Sequence, residues 1–162
     1  MSANGMVLTL KTLSEEQSAE VGAFLGGILE PGDVLCLEGG LGVGKTAFVR
    51  GLARGKGYKG FVTSPTFTII NQYPEIGLCH VDAYRLTCAR ELLEVGIEEF
   101  LCGEWVCAVE WAARVRGALP DRALEVRLTF GAGEDERLLE IAAAAGWDGR
   151  WRDIEERLCR YA

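Results

Sequence analysis

An α/β fold is what this 162-residue sequence predicts, on three observations. A glycine-rich stretch stands between an apolar, strand-like run (Val34-Leu35-Cys36-Leu37) and a helix-forming run that starts near Ala47. Two further apolar runs, Leu78-Cys79-His80-Val81-Asp82 and Val106-Cys107-Ala108-Val109-Glu110-Trp111, lead into a carboxylate. Segments with helical spacing of apolar residues separate these runs, the alternation that builds a sheet with helices packed on it.

The glycine-rich stretch, Gly39-Gly40-Leu41-Gly42-Val43-Gly44-Lys45-Thr46, fits the pattern G-x-x-x-x-G-K-S/T. It follows a strand entered through the turn Pro31-Gly32 and precedes a helix, the context the pattern requires. Its glycines let successive backbone N–H groups turn inward on a phosphate, and the helix adds the positive end of its dipole. Lys45 would reach β- and γ-phosphates as a point charge, and the Thr46 hydroxyl would ligate Mg²⁺.

Before the motif, Val7-Leu8-Thr9-Leu10 is a short strand. Ser14 and Gln17 have capping-box spacing, with Ser14 as N-cap. Val21, Phe24, Leu25, Ile28 and Leu29 then form the apolar stripe of an amphipathic helix that ends at Pro31-Gly32. Past the motif, Arg54 to Gly60 is a flexible, locally basic connection. Thr63-Ser64-Pro65-Thr66-Phe67-Thr68 places hydroxyls around a proline, a poor core segment but a suitable loop beside a triphosphate, where a hydroxyl can sense the γ-phosphate or its magnesium. Phe67-Thr68-Ile69-Ile70 reads as a strand.

A phosphate-binding loop of this kind needs an acidic residue at the end of a neighbouring strand, to hold Mg²⁺ directly or through water. Asp82 and Glu110 are the two candidates. His80, inside a strand pattern, reads as a packed, hydrogen-bonded residue rather than a base. Thr87 to Leu101 reads as one or two short helices, with Thr87 as N-cap and a break at Gly96. After the loop Leu119-Pro120-Asp121, the alternation of Leu124, Val126, Leu128 and Phe130 with polar residues marks a half-exposed, antiparallel strand. Arg137 to Ala143 is another strand, and Trp151, Ile154 and Leu158 suit one face of a C-terminal helix. With no internal repeat and no linker, residues 1–162 read as a single domain.

Composition narrows the function. The chain is 49% hydrophobic and 25% charged, ordinary for a globular protein in water. No apolar run reaches the roughly 18 residues of a membrane span. Met1-Ser2-Ala3-Asn4-Gly5 lacks the basic and apolar regions of a secretory signal. Six cysteines without a C-x-x-C pair, alongside one histidine, argue against zinc and for small buried or half-buried thiols in a reducing, cytoplasmic setting. A net charge of −7 repels a phosphate backbone, so autonomous nucleic-acid binding is not expected, whereas an ATP site needs only a local positive pocket.

In this order, the strings Leu37 to Thr46, Ser64-Pro65-Thr66-Phe67-Thr68, His80-Val81-Asp82-Ala83-Tyr84-Arg85-Leu86 and Val109-Glu110-Trp111 resemble the TsaE family, small bacterial P-loop ATPases of tRNA threonylcarbamoyladenosine biosynthesis. The resemblance covers residues 7 to 143. It implies a P-loop fold with a mostly parallel central sheet, antiparallel additions and helices on both faces. It implies Mg²⁺-dependent ATP binding and slow, partner-stimulated hydrolysis. It also implies work beside TsaB and TsaD, which install threonylcarbamoyl on N6 of adenosine 37 in tRNAs reading codons that begin with A; tRNA would be reached through that complex. By matching position, Leu41, Gly42, Val43, Gly44, Lys45 and Thr46 resemble the phosphate cradle, Thr46 and Glu110 the magnesium ligands, and Ser64-Pro65-Thr66 a switch I loop. Asp82 resembles a second acidic residue needed for hydrolysis, which orients water or places the switch. The catalytic set implied is Lys45, Thr66 and Asp82. The turn near Glu15 and the loop near Glu134 match places where base or ribose rests. The chain departs from the family at Gly40, usually acidic, and at Ala112, often proline.

The alternative reading is a small-molecule P-loop kinase, with Arg114 and Arg116 as lid arginines, although no acceptor signature accompanies them. A GTPase would need an N/T-K-x-D string, and none of Lys11, Lys45, Lys56 and Lys59 lies in one.

Overall fold

A computed structural model describes residues 5–162; Met1 to Asn4, where the expectation about an N-terminal signal falls, lie outside the described residues. The chain forms strand β1 (Met6–Thr12), helix α1 (Glu15–Ile28), β2 (Val34–Glu38), α2 (Lys45–Gly55), β3 (Ile70–Tyr73), β4 (Leu78–Asp82), α3 (Ala89–Glu94), α4 (Glu98–Leu101), β5 (Val106–Glu110), β6 (Leu124–Phe130), β7 (Arg137–Ala143) and α5 (Asp148–Leu158). One seven-stranded sheet runs β1-β7-β6-β2-β5-β4-β3. Its centre, β6-β2-β5-β4, is parallel, and β1, β7 and β3 are added antiparallel. This is the P-loop α/β architecture expected from the sequence. None of the described helices is long and apolar enough to cross a membrane.

Strand periodicity sorts the core into two layers. From β2, Leu35 and Leu37 point into one layer with Phe48, Leu52, Leu25 and Trp151, beneath α1, α2 and α5. Val34 and Cys36 point into the other with Leu92, Ile97, Phe100 and Val115, beneath α3, α4 and residues 112–118. Burial pushes the Cys36 thiol up to about 12. Cys36, Cys79 and Cys107 are buried, whereas Cys88, Cys102 and Cys159 are exposed, contrary to the expectation for all six.

Helices α1 and α2 meet backbone to backbone. Val21 and Leu25 are buried as the periodicity indicates, but Phe24 and Ile28 are only half-buried, and the close approach runs through Gly22 and Gly26 of α1 and Gly51 and Gly55 of α2. A Cβ on Gly26 would stand 2.1 Å from the Leu52 carbonyl oxygen, and one on Gly51 would stand 2.1 Å from that of Ala19. Hydrophobic spacing overlooks this face because the residues that permit the approach carry no side chain. Gly51→Ala is therefore expected to lower stability by about 2–3 kcal/mol through overpacking. Gly27→Ala, whose Cβ meets nothing closer than 3.9 Å, should be neutral or mildly stabilising. Paired thermal melts test this; equal midpoints would show that the two helices separate at little cost.

Three further expectations change. Phe67 and Thr68 lie in a turn rather than a strand, and pairing starts only at Ile70. β6 is antiparallel to β7 but parallel to β2; alternation reports one exposed face and carries no direction. The N-cap of α3 is Cys88, while Thr87 binds the Glu91 carboxylate through both its N–H and its hydroxyl. Helix α5 buries Trp151, Ile154 and Leu158 as their spacing indicates. It is tied to the start of β2 by a two-pronged pairing of Arg150 with the buried Asp33 carboxylate, which raises the Arg150 pKa.

Candidate functional site

Strands β2, β4 and β5 end at one edge of the sheet, where loops from parallel strands converge on a crevice. The loop from β2 to α2 curls there with Gly42 at φ 74° and Gly44 at φ 111°, a left-handed backbone that strains other residues. A Cβ on Gly40, Gly42 or Gly44 would meet nothing within 4 Å, so the loop is not packed over at these points. It leads into a cavity of about 350 Å³ lined by residues that include Leu41, Gly42, Gly44, Lys45, Thr46, Thr66, Asp82 and Glu110. Val43 instead sends its side chain into the core, leaving its backbone to the loop.

Lys45 is buried at the start of α2. Its Nζ donates to the carbonyls of Gly39 at 2.6 Å and Gly40 at 2.7 Å, and sits 4.3 Å from the Trp111 ring centroid. Burial lowers its pKa, while Glu110, Asp82 and Glu38 act to raise it. Next along the helix, the Thr46 hydroxyl donates to Glu110, 3.2 Å from Oε1 and 3.3 Å from Oε2. His80 Nε2 lies 2.6 Å from Glu110 Oε2, the packed, hydrogen-bonded role read for this histidine.

The β4–β5 register sets Asp82 directly beside Glu110, and both carboxylates are buried. Their surroundings differ. Asp82 Oδ2 accepts from the Thr66 hydroxyl at 2.8 Å, and Oδ1 accepts from the Tyr84 N–H at 2.9 Å. Ser64 Oγ lies 2.8 Å from Thr66 Oγ1. The Thr63–Ile69 loop is thus held over the cavity by one carboxylate. It ends at Ile69, whose φ of 68° is a strained conformation for a β-branched residue. Hydroxyl and carboxylate oxygens are the donors a hard divalent cation takes, and an ammonium at the N-terminus of a helix suits an anion.

Glu15 lines the same cavity from the first turn of α1. Glu134 does not line it; Arg137 donates to the Glu134 carbonyl at 2.9 Å and, through Nε, to the Val43 carbonyl at 2.9 Å, bracing the loop from behind. Arg114 donates to the Tyr84 carbonyl and stacks near both Tyr84 and Trp111. Arg116 is held by the Pro120 carbonyl and Glu125. Neither arginine stands as a lid.

Sequence reasoning missed Arg50, Arg137 and Glu38. Arg50 lines the cavity and donates to the Val62 carbonyl at 3.0 Å, joining α2 to the hydroxyl-rich loop. Its position four residues after Thr46 was a usable signal, because that spacing returns to the same helix face. Glu38 accepts from the Ala113 N–H and steadies the turn after Trp111, itself left-handed at φ 59°. Nothing local marks the bond of Arg137 to Val43 or of Glu38 to Ala113, since each joins residues distant in the chain.

Comparison with known proteins identifies the family. A sequence model of the family described as threonylcarbamoyl adenosine biosynthesis protein TsaE matches residues 12–139. The tRNA threonylcarbamoyladenosine biosynthesis protein TsaE of Bacillus subtilis is 37% identical over 156 residues, 95% of each chain. That of Treponema pallidum is 40% identical over 116 residues, 71% of this chain and 86% of its own. The crystal structure of Bacillus subtilis YdiB superposes with a TM-score of 0.76 at 34% identity, covering 98% of both chains, so the likeness extends through α5. Motif order, fold and relatives coincide, and the chain belongs to the TsaE family of tRNA threonylcarbamoyladenosine biosynthesis proteins.

Proposed function

We propose that the chain binds ATP with Mg²⁺ in this cavity, hydrolyses it slowly, and uses that cycle beside TsaB and TsaD to support threonylcarbamoylation of tRNA. The observation that carries this reading is the placement of the Thr46 hydroxyl against Glu110, one residue after a buried lysine and below an open glycine loop. The loop from Leu41 to Thr46 would wrap the phosphates with backbone N–H groups, and Lys45 would exchange its carbonyl partners for phosphate oxygens. Thr46 and Glu110 are the oxygen donors that would hold Mg²⁺. When bound, the metal neutralises developing negative charge on the phosphates. Asp82 holds Thr66 over the site and so sets the position of the switch loop. Glu15, which lines the cavity, would meet base or ribose; Glu134 would reach them only through movement of its loop.

With net charge −7, tRNA is reached through the partner complex rather than bound alone, in the cytoplasm. The kinase alternative finds no support: Arg116 is held by the Pro120 carbonyl and Glu125, and Arg114 is pinned to the Tyr84 carbonyl and packed on the Tyr84 and Trp111 rings at the cavity wall rather than free as a lid.

The test is calorimetric titration of the TsaB–TsaD pair with this protein carrying an ATP analogue, ADP or nothing, repeated with Thr66→Ala. An affinity difference of about tenfold between nucleotide states, or about 1.4 kcal/mol, is expected, and Thr66→Ala should erase it. Equal affinity in all states would remove the switch mechanism. No binding in any state, with no stimulation of threonylcarbamoyl transfer, would remove the proposed partnership.

A further inference from the structure

We propose that His80 is a positioning residue, whose Nε2–H fixes the Glu110 carboxylate so that its Oε1 is presented beside Thr46 for a metal ion. The inference rests on the reading of Glu110 as a metal ligand and adds the group that orients it.

The geometry begins with strand register. In parallel β4 and β5, His80 lies opposite Ala108 and Asp82 opposite Glu110. Alternate residues share a face, so His80, Asp82, Ala108 and Glu110 all point toward α2. His80 and Glu110 are therefore diagonal neighbours. The methyl group of Ala108 is small enough for the imidazole to pass and reach the carboxylate at 2.6 Å. A larger residue at Ala108 would fill that path.

The proton's location follows from the two ring nitrogens. Nε2 faces a carboxylate oxygen, so it must donate. Nδ1 is buried and has no hydrogen-bond partner. A proton there would be a buried donor without an acceptor, which costs more than a bare lone pair. The arrangement selects the tautomer with its proton on Nε2.

Glu110 Oε2 is thereby committed to His80, while Oε1 has only the longer contact with Thr46. One oxygen is anchored and the other is the freer to ligate. An outer group that orients a ligand in this way typically changes metal affinity by about 10- to 100-fold when lost. His80 is fully buried and does not line the cavity, so its action on a bound metal goes through Glu110.

The experiment measures Mn²⁺ affinity by electron paramagnetic resonance in the full-length protein saturated with a non-hydrolysable ATP analogue. His80→Phe removes the donor but keeps an aromatic ring, and is expected to weaken Mn²⁺ binding about tenfold or more. His80→Gln, whose side-chain amide can donate from near the Nε2 position, should stay within about threefold of the native protein, as rescue of an outer-shell contact requires. Nucleotide affinity without metal should be unchanged in both, and thermal melts confirm that each is folded. A purely structural histidine would lower the melting midpoint and leave Mn²⁺ affinity alone. Should His80→Phe fail to fold, His80→Leu and the ¹⁵N spectrum of the native imidazole decide: an Nε2 found without a proton overturns the proposal. Glu110→Gln separates the two claims. Native Mn²⁺ affinity in that variant overturns the metal-ligand reading and the proposal with it. Weakened affinity there, with native affinity in the folded His80 variants, overturns the positioning role alone.

Discussion

Lys45→Ala is expected to reduce ATP affinity by about a hundredfold, or about 2.7 kcal/mol, while leaving the fold intact. The ammonium is already delivered to the loop, held by two carbonyls of its own backbone within 2.7 Å and flanked by the Trp111 ring. Burial lowers its pKa while the nearby carboxylates act the other way, and its two carbonyl partners hold the group at the place where phosphates would lie. Alanine removes that group, and only two loop carbonyls lose a partner, at an edge open to water. Thr46→Ala should behave differently: a loss of affinity in Mg²⁺ and little change without it, because the hydroxyl acts on the metal. Calorimetry with and without Mg²⁺ separates the two. Native binding by both variants would show that the loop does not hold a phosphate.

Asp82→Ala is expected to cut hydrolysis by roughly a hundredfold, within the usual range for a lost catalytic or positioning group, and to leave nucleotide affinity within a few-fold. Both oxygens of Asp82 are engaged, one by Thr66 and the other by the Tyr84 N–H. That arrangement suits a residue that places the switch loop better than one that takes a proton from water. Asp82→Asn distinguishes the roles. An amide can still accept from one of these donors, so a placing role predicts partial activity, whereas a base predicts that asparagine is as poor as alanine. Glu110→Ala should instead raise the Mg²⁺ concentration needed for activity. Phosphate release across a magnesium series measures all three, and indifference to both alanine variants would move the acidic partner elsewhere.

Much of this protein is legible in short stretches of its chain. The glycine-rich loop, the Ser14 cap of α1, the carboxylates ending β4 and β5 and the apolar face of α5 each depend on residues within a few positions of one another. Ser14 accepts from the Gln17 N–H at 3.1 Å, as the spacing indicates, because capping is a local contact. The resemblance to the TsaE family likewise rests on short strings in a fixed order. What needed the folded chain was register and approach. Strand pattern alone leaves Asp82 and Glu110 equivalent, and only the family resemblance separates them; in the fold they stand side by side, Glu110 against Thr46 and Asp82 against Thr66. Strand direction in β6, the glycine-lined contact of α1 with α2, the bracing of Val43 by Arg137 and the reach of His80 past Ala108 join segments far apart in the chain. Each depends on how elements are laid side by side, and neither periodicity nor spacing along a single segment records that.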